Sequence, residues 1–205
     1  MVKILVLYYS LHGNTRQLAR HIGRGIEQIE GCEAVLRTVA DIPITTDIAT
    51  ATTAATTPTV TTMKTTDPMV SHDDLKQCAA IAMGSPVRFG NMAAPLKHFL
   101  DTTSGEWLSG TLIDKPACVF TSSSSLHGGQ ETTLQSMMLP LLHHGMVIVG
   151  IPYSEPLLHT TCHGGTPYGA SHVNHGINKQ LHPDEITLAQ AIGRRLATIA
   201  YKLSG

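Results

Sequence analysis

Four small or polar residues near the start of the chain have the types and spacing of an anion-binding turn. Ser10, Asn14 and Thr15 offer hydroxyl and amide hydrogen-bond donors, and Gly13 permits a close backbone approach or a positive φ. A stretch with helical periodicity follows, so first-turn N–H groups and the helix dipole add a partial positive charge. This combination predicts a phosphate site, although an ordinary helix cap has a similar composition.

The composition of this turn indicates which kind of phosphate-containing ligand it could bind. The turn lacks the lysine of a P-loop, which argues against a nucleoside-triphosphate loop of the Walker type. It also lacks the G-x-G-x-x-G spacing, which argues against a dinucleotide site of the Rossmann type. A turn of neutral donors suits the terminal phosphate monoester of a mononucleotide.

The elements that position this turn follow from the apolar pattern. Residues 4–9 form a near-continuous apolar run too short for a helix, which is typical of a strand buried on both faces of a parallel sheet. Further runs predict four more strands, at 32–39, 78–84, 117–120 and 146–149. The segments between these predicted strands show helical periodicity. This alternation predicts an α/β domain with helices on both faces of a parallel sheet.

Three polar loops follow predicted strands one, three and four. They comprise residues 10–15, 85–91 and 121–129. In such sheets, ligands bind beyond the carboxyl ends of the strands, where the strand order reverses. The three loops together therefore predict one binding site more strongly than any loop alone.

The composition is that of one well-buried domain over residues 1–205, with 42% hydrophobic residues. A net charge of −1 gives no electrostatic basis for binding nucleic acid or an anionic membrane. No apolar segment reaches membrane-spanning length and no signal peptide is recognisable, so we expect a cytoplasmic protein without membrane insertion. The four cysteines are widely spaced, which is typical of reduced thiols.

Two segments interrupt the alternation of strands and helices. Residues from about 44 to 66 are dominated by Thr and Ala and can bury little large apolar surface, so we predict a mobile insertion. Residues from about 152 to 181 are rich in Gly, His and Pro without a clear period, so we predict a long loop. Neither segment is expected to mark a domain boundary.

Motifs spread over nearly the whole chain resemble those of the WrbA family of FMN-dependent NAD(P)H:quinone oxidoreductases, within the flavodoxin superfamily. They include Gly84-Ser85-Pro86, Arg88-Phe89-Gly90-Asn91-Met92, Gly128-Gly129-Gln130-Glu131, His143-His144-Gly145-Met146 and Gly164-Gly165-Thr166-Pro167-Tyr168-Gly169-Ala170. The joint occurrence of Arg-Phe-Gly-Asn-Met and His-His-Gly-Met makes the resemblance specific. It implies a flavodoxin-like three-layer sandwich with a five-stranded parallel sheet of order 2-1-3-4-5.

The resemblance implies tightly but non-covalently bound FMN, NAD(P)H as co-substrate and a quinone as electron acceptor. It implies transfer of two electrons in ping-pong order, and because the flavin carries the chemistry, neither a catalytic side chain nor a metal is expected. The implied cofactor-binding residues are Ser10, Leu11, His12, Gly13, Asn14, Thr15, Pro86, Val87, Arg88, Phe89, Gly90, Ser122, Ser123, Ser124, Ser125, Leu126, His127, Gly128 and His143.

Two residues are implied in substrate binding. His12 stands where family members often carry tyrosine, at a position implicated in nicotinamide-nucleotide contact. Trp107, the only tryptophan, is either a flat wall for substrate stacking or core filler. Because family members build the site from more than one subunit, the resemblance also implies a homotetramer, formed as a dimer of dimers.

Two other function classes remain open. A flavodoxin-type one-electron carrier shares the fold, but such carriers are usually acidic, and the net charge here is −1. A regulatory FMN-binding module or a metal-binding module is the second class. His159, Cys162, His163, His172 and His175 could suggest zinc, but their spacing matches no common closed site, so we predict no metal site.

Overall fold

The strands of the protein form one parallel sheet with helices on both faces. The computed structural model describes residues 1–42, 66–174 and 180–205. The strands in these ranges are β1 (Val2–Tyr8), β2 (Cys32–Thr38), β3 (Ala80–Pro86), β4 (Pro116–Ser123), β5 (Val147–Ile148) and β6 (Ala170–Val173). The helices are α1 (Asn14–Ile26), α2 (His72–Gln77), α3 (Ala94–Asp101), α4 (Ser104–Leu108), α5 (Gln130–His143), α6 (Leu157–Thr160) and α7 (Pro183–Leu203). The predicted insertion at about 44–66 lies, except for Thr66, outside the described residues.

The strand order along the sheet is β2-β1-β3-β4-β5, which confirms the predicted order and the flavodoxin-like α/β class. A sixth strand, β6, was not predicted and pairs with β4. β5 pairs with Pro116 and Ala117 at the start of β4, whereas β6 pairs with Phe120–Ser123 at its end. The two short strands therefore fill the fifth position of the sheet in succession.

The segment predicted as a long loop at about 152–181 differs from that prediction. It contains α6 and β6, each of them four residues long. Elements of this length show no recognisable periodicity, and β6 is defined only by its backbone pairing with β4. Residues 175–179 of the segment lie outside the described ranges.

The sheet separates two apolar cores. On one face, alternate residues of β1 such as Ile4, Val6 and Tyr8 pack against α1 and α7. On the other face, Leu5 and Leu7 pack against α3 and α5. Neighbouring residues of one strand are thus buried on opposite sides, which is why the sequence shows a continuous apolar run instead of an alternating one.

Helices α1 and α7 approach each other closely on the first face. A Cβ atom on Gly193 of α7 would lie 2.2 Å from the carbonyl oxygen of Ile22, and one on Gly25 of α1 would lie 2.2 Å from that of Gln190. Glycine at both positions therefore lets the two backbones touch. This contact packs the C-terminal part of α1 against the middle of α7.

Three of the four cysteines lie in the apolar interior. Cys32, Cys78 and Cys118 are buried and Cys162 is exposed, and all four are free. Burial raises the pKa of Cys78 to about 11, so this thiol stays protonated and unreactive at neutral pH. None of the helices in the described ranges is long and apolar enough to span a bilayer.

Candidate functional site

A cavity of about 630 Å³ lies at the carboxyl edge of the sheet, over the ends of β1, β3 and β4. This is the edge at which the three polar loops were predicted to meet, and all three contribute to it. The lining residues are Ser10, Leu11, His12, Asn14, Thr15, Pro86, Val87, Arg88, Phe89, Ser122, Ser123, Ser124, Ser125, Gly128 and Asn174.

The first wall is the turn between β1 and α1. Gly13, the N-cap residue of α1, has a φ of 93°, a conformation that a residue with a side chain adopts only with strain. The hydroxyl oxygen of Ser10 accepts the N–H groups of Gly13 and Arg16 at 3.1 and 3.2 Å. The first helical hydrogen bond runs from Gln17 N–H to the Gly13 carbonyl, so the helix start faces the cavity with its first-turn N–H groups.

A buried contact between hydroxyl groups joins this turn to the third loop. Thr15 Oγ1 lies 2.8 Å from Ser122 Oγ, and both residues line the cavity. Two hydroxyl groups carry two hydrogens, of which their mutual bond uses one. The second hydrogen can be donated to an anionic oxygen in the cavity.

The second wall is a tight turn after β3 that exposes an aromatic ring. Arg88 N–H donates to the Asn91 carbonyl and Asn91 N–H donates to the Arg88 carbonyl, at 2.8 and 3.0 Å. Phe89 and Gly90 between them have φ values of 52° and 74°, as a two-residue turn of this kind requires. Phe89 is fully exposed at a strained backbone position, which is typical of a functional site.

The base of this turn is fixed by hydrogen bonds from the neighbouring strand. Thr121 Oγ1 donates to the Ser85 carbonyl at 2.7 Å, and Val87 N–H donates to the Ser122 carbonyl at 2.8 Å. Ser85 Oγ accepts the N–H group of Ala93 at 2.8 Å, immediately before α3. The strained turn is therefore held from both ends.

The third wall is the loop between β4 and α5. The side-chain amide of Gln130 donates to the carbonyl groups of Ser125 and Leu126 at 2.9 and 2.7 Å. Gly129, the N-cap of α5, has a φ of 94°. Anchored in this way, the loop places serine residues on the cavity side and Leu126 with His127 on the other side, where they line a second cavity of about 450 Å³.

Asn174 also lines the first cavity and was missed in the sequence analysis. It follows β6, and its N–H donates to the Ser123 carbonyl at 2.9 Å. Since β6 is parallel to β4, its carboxyl end opens at the same edge as the predicted loops. The sequence could have indicated Asn174 only through the rule that the carboxyl ends of parallel strands meet at one edge of the sheet. Applying that rule requires that β6 is first recognised as a strand.

The donor set of the cavity fits a flavin mononucleotide. The lining residues supply hydroxyl, amide and backbone N–H donors with Arg88 and His12, and none of those described carries a carboxylate. Such donors suit a phosphate at the α1 end and the electron-rich edge of a reduced ring elsewhere. The volume of about 630 Å³ is typical of small-molecule sites.

Two predicted site residues lie far from the cavity within one chain. His143 ends α5, whose first residue follows the cavity-lining loop, so the 14 residues of the helix separate them by roughly 20 Å. Trp107 lies beside it, because its Nε1–H donates to the His143 carbonyl at 2.9 Å. Both are therefore at the opposite end of the sheet, and Trp107 is 53% exposed, which excludes the core-filler alternative.

Tyr9 and Asp41 lie close to Arg88. Burial, followed by a hydrogen bond to Asp41, raises the pKa of Tyr9 to about 12. The phenol therefore stays neutral, and its O–H donates a hydrogen bond to the Asp41 carboxylate. Among the described residues, Arg88 forms no ion pair, and its Nη1 donates to the Val87 carbonyl at 2.9 Å.

The histidines and cysteines do not assemble into a metal centre in the described part of the chain. No group of three or more His, Cys, Asp or Glu side chains there has a geometry that could hold an ion. Two of the residues considered for zinc instead have other contacts, since His163 stacks on His182 and His172 pairs with Glu185. His175 lies outside the described residues.

Comparison with known proteins identifies relatives over the full length of the chain. The model of the NADPH-dependent FMN reductase family matches residues 2–154. An NAD(P)H dehydrogenase (quinone) of Geotalea daltonii is 41% identical over 206 residues, covering 98% of both chains. A protein of the same name from Chromohalobacter salexigens is 40% identical and covers 100% of both chains.

Solved structures share the fold at lower sequence identity. A WrbA-like flavodoxin from Agrobacterium tumefaciens has a TM-score of 0.68 and 22% identity, covering 98% of this chain and 99% of the other. An archaeal flavodoxin has a TM-score of 0.62 and 20% identity, with the same coverage. These structures therefore share the flavodoxin-like fold with this chain.

Proposed function

The chain belongs to the NADPH-dependent FMN reductase family, and from this premise we propose that it is an FMN-dependent NAD(P)H:quinone oxidoreductase. Full-length relatives that are 40–41% identical carry the name NAD(P)H dehydrogenase (quinone), which supports the enzyme class. The finer proposal is that two electrons pass from NAD(P)H to a quinone in ping-pong order, through non-covalently bound FMN.

The observation that carries this proposal is the cavity at the carboxyl edge of the sheet. Fourteen of the fifteen residues that line it are those to which the sequence resemblance assigns FMN binding, and the exception is Asn174. The pocket combines a helix N-terminus at one end with an exposed aromatic ring at the other. A phosphorylated planar ligand needs both features.

The phosphate end of the ligand belongs at the first turn of α1. We propose that backbone N–H groups of this turn and the hydroxyl of Thr15 or Ser122 bind the phosphate oxygens. The hydroxyl oxygen of Ser10 accepts two N–H groups of the turn and so fixes its backbone, and the O–H of Ser10 remains available to donate to a phosphate oxygen. A neutral donor set of this kind binds a phosphate without a lysine.

The ring end belongs between the turn containing Phe89 and the serine-rich loop. When bound, FMN supplies the redox chemistry that links oxidation of a nicotinamide to reduction of a quinone. Arg88 and the backbone N–H groups of both loops would stabilise the negative charge of the reduced ring. Since the strained turn is held by Ser85 and Thr121, these donors are positioned before the ligand arrives.

Residues at the opposite end of the sheet are proposed to complete the site in an oligomer. Five exposed apolar side chains form what we call the end patch: Trp107, Leu108, Ile113, Leu139 and Leu142. Trp107 and His143 are too far from their own cavity to contact its ligand, so they can act only on a neighbouring copy. We therefore propose a homotetramer in which Trp107 forms a wall of the substrate site of another subunit, opposite His12.

Steady-state turnover tests the enzymatic proposal directly. Purified full-length protein loaded with FMN is mixed with NADH or NADPH and benzoquinone, and nicotinamide oxidation is followed by absorbance. We expect many turnovers per flavin, with parallel double-reciprocal plots as ping-pong order requires. Absence of nicotinamide oxidation in a protein that binds FMN would favour a one-electron carrier.

A further inference from the structure

The end of β6 adds a fourth wall to the cofactor cavity. Asn174 lines the cavity beside Ser122 and Ser123, at the end of the strand that pairs with β4 on the side away from β3. Val173 is in register with Ser123, and Asn174 N–H bonds to the Ser123 carbonyl, so the position of Asn174 follows that of β6. Whatever fixes β6 therefore fixes Asn174.

One buried carboxylate fixes β6. Glu185, in the first turn of α7, is 2% exposed and accepts four hydrogen bonds. Its Oε1 accepts the N–H groups of Val173 and Gly164 at 2.9 and 3.0 Å, and its Oε2 accepts the N–H of His182 at 2.9 Å and Nδ1–H of His172 at 2.7 Å. The carboxylate therefore joins β6, the loop before it and the start of α7.

The carboxylate is in its ionised form at this junction. Burial by itself raises the pKa of Glu185, but hydrogen bonds from His172, Val173 and His182 outweigh it, and the pKa lies below its usual value. A charged acceptor makes stronger hydrogen bonds than a neutral one. The junction is thus held by four hydrogen bonds to a charged acceptor, and α7 is in turn packed against α1, which follows the phosphate-binding turn.

We propose that Asn174 is a further cofactor-binding residue that contacts the ribityl chain, and that Glu185 is the positioning residue that holds it there. The inference rests on the proposed function, since it concerns the same cavity. A ribityl hydroxyl both donates and accepts hydrogen bonds, and an asparagine amide does the same. A phosphate only accepts hydrogen bonds. We place it at the first turn of α1, which contacts Ser122 through Thr15.

The test compares three flavins that differ in the part under question. FMN carries the ribityl chain and phosphate, riboflavin carries the ribityl chain alone, and lumiflavin carries neither. Dissociation constants are measured by flavin fluorescence for the full-length wild-type protein and for Asn174→Ala. We expect the substitution to weaken binding of FMN and riboflavin by the same factor, about tenfold, and to leave lumiflavin binding unchanged.

Glu185→Gln tests the positioning role, with Asp184→Asn as the matched control. Asp184 lies in the same first turn of α7 and forms a partly exposed pair with His182, but it has no bond to β6. We expect Glu185→Gln to weaken FMN and riboflavin binding as Asn174→Ala does, and the double variant to be no weaker than either alone. Asp184→Asn should bind all three flavins like the wild type. If Glu185→Gln does not fold, His172→Phe, which removes one of the four donors and keeps a planar ring, is expected to show the same pattern with a smaller factor.

Each other outcome overturns the inference. Loss confined to FMN would place Asn174 at the phosphate, equal loss of all three flavins would indicate a ring contact or general damage, and unchanged binding would exclude a contact. Additive losses in the double variant would exclude positioning by Glu185. A wild-type protein that binds no flavin would instead refute the proposed function itself, so the two failures are distinguishable.

Discussion

The two ends of the parallel sheet expose opposite kinds of surface. The carboxyl end has a polar cavity walled by hydroxyl and backbone donors, with one exposed aromatic ring, that of Phe89. The opposite end carries the end patch, which is apolar, and has Trp107 tied to the end of α5. The cavity that we propose for the cofactor is thus lined by residues of one chain, whereas the substrate wall that we propose would come from a second chain.

Disrupting the end patch is expected to have the largest effect. Leu142→Lys places a charge on a surface that we propose is buried between subunits, so the tetramer should dissociate. Turnover should fall about 100-fold because every group that another copy contributes to the substrate site is lost, and not the Trp107 ring alone, while FMN binding stays unchanged. Light scattering gives the mass and steady-state assays give the activity.

Leu203→Lys is the control for this substitution. Leu203 is 63% exposed against 54% for Leu142, and it lies on α7 in the other helical layer. Its substitution should change neither mass nor activity. A Leu142→Lys protein that kept the wild-type mass would contradict the proposed interface.

A matched pair of glycine substitutions compares the two ends directly. Gly13 at the phosphate-binding turn and Gly110 at the opposite end both have positive φ, at 93° and 68°. Alanine at either position should lower the free energy of unfolding by about 1–2 kcal/mol. Only Gly13→Ala should also weaken FMN binding, by about tenfold, because it distorts the turn that faces the phosphate.

Thermal unfolding and flavin fluorescence measure the two effects separately. Weakened FMN binding in Gly110→Ala, beyond what its lower stability explains, would show that the two ends are coupled within one chain. If Gly13→Ala bound FMN as tightly as the wild type does, phosphate binding at the first turn of α1 would be excluded.

Trp107 offers a more moderate test of the substrate wall. Trp107→Ala should lower kcat/KM for the quinone about fivefold, since stacking on an aromatic face contributes about 1 kcal/mol. Trp107→Phe keeps a flat face and loses only the bond to the His143 carbonyl, so it should stay close to wild type. If both variants lost activity equally, the indole N–H and not the ring face would be responsible.

Two glutamate–histidine pairs, one at each end, should differ in the pH dependence of stability. The pKa of Glu185 is lowered because its hydrogen bonds outweigh its burial, and a hydrogen bond from His72 lowers that of Glu106. A carboxyl with a lowered folded-state pKa stabilises the protein above its unfolded pKa, and this contribution is lost as pH falls through the folded pKa.

The expected difference arises from exposure. The side chains of His172 and Glu185 are each 1% exposed, whereas the side chain of His72 is 45% exposed, so its ion pair is screened by water and salt. Urea unfolding from pH 7 downward should show the stability gap between wild type and Glu185→Gln closing, by about 1 kcal/mol. The corresponding gap for Glu106→Gln should be smaller and should shrink further in high salt. An identical pH and salt response of the two variants would contradict the comparison.

The fold and the three predicted walls could be derived from sequence because they depend on local patterns. Apolar runs locate the buried strands, and polar residues directly after them locate the loops at the carboxyl edge. The structure brings Ser10, Arg88 and Ser122 to one cavity, as that rule requires. The order of the strands came from the family motifs, since pattern alone does not specify it.

The remaining features depend on contacts that leave no local pattern. β6 is four residues in a segment rich in Gly and His, and only its pairing with β4 makes it a strand. Asn174 was therefore missed together with β6. Trp107 and His143 are separated from the cavity because α5 runs away from it. Sequence motifs do not indicate such a distance.

The visible spectrum of the purified protein tests the central claim most directly. The protein is loaded with FMN, passed through a desalting column without oxygen, and treated with NADH and then with a quinone. We predict that flavin absorbance stays with the protein, bleaches with NADH and returns in full with the quinone. Flavin that separates from the protein on the column, or that NADH leaves oxidised, would contradict the assignment of this cavity.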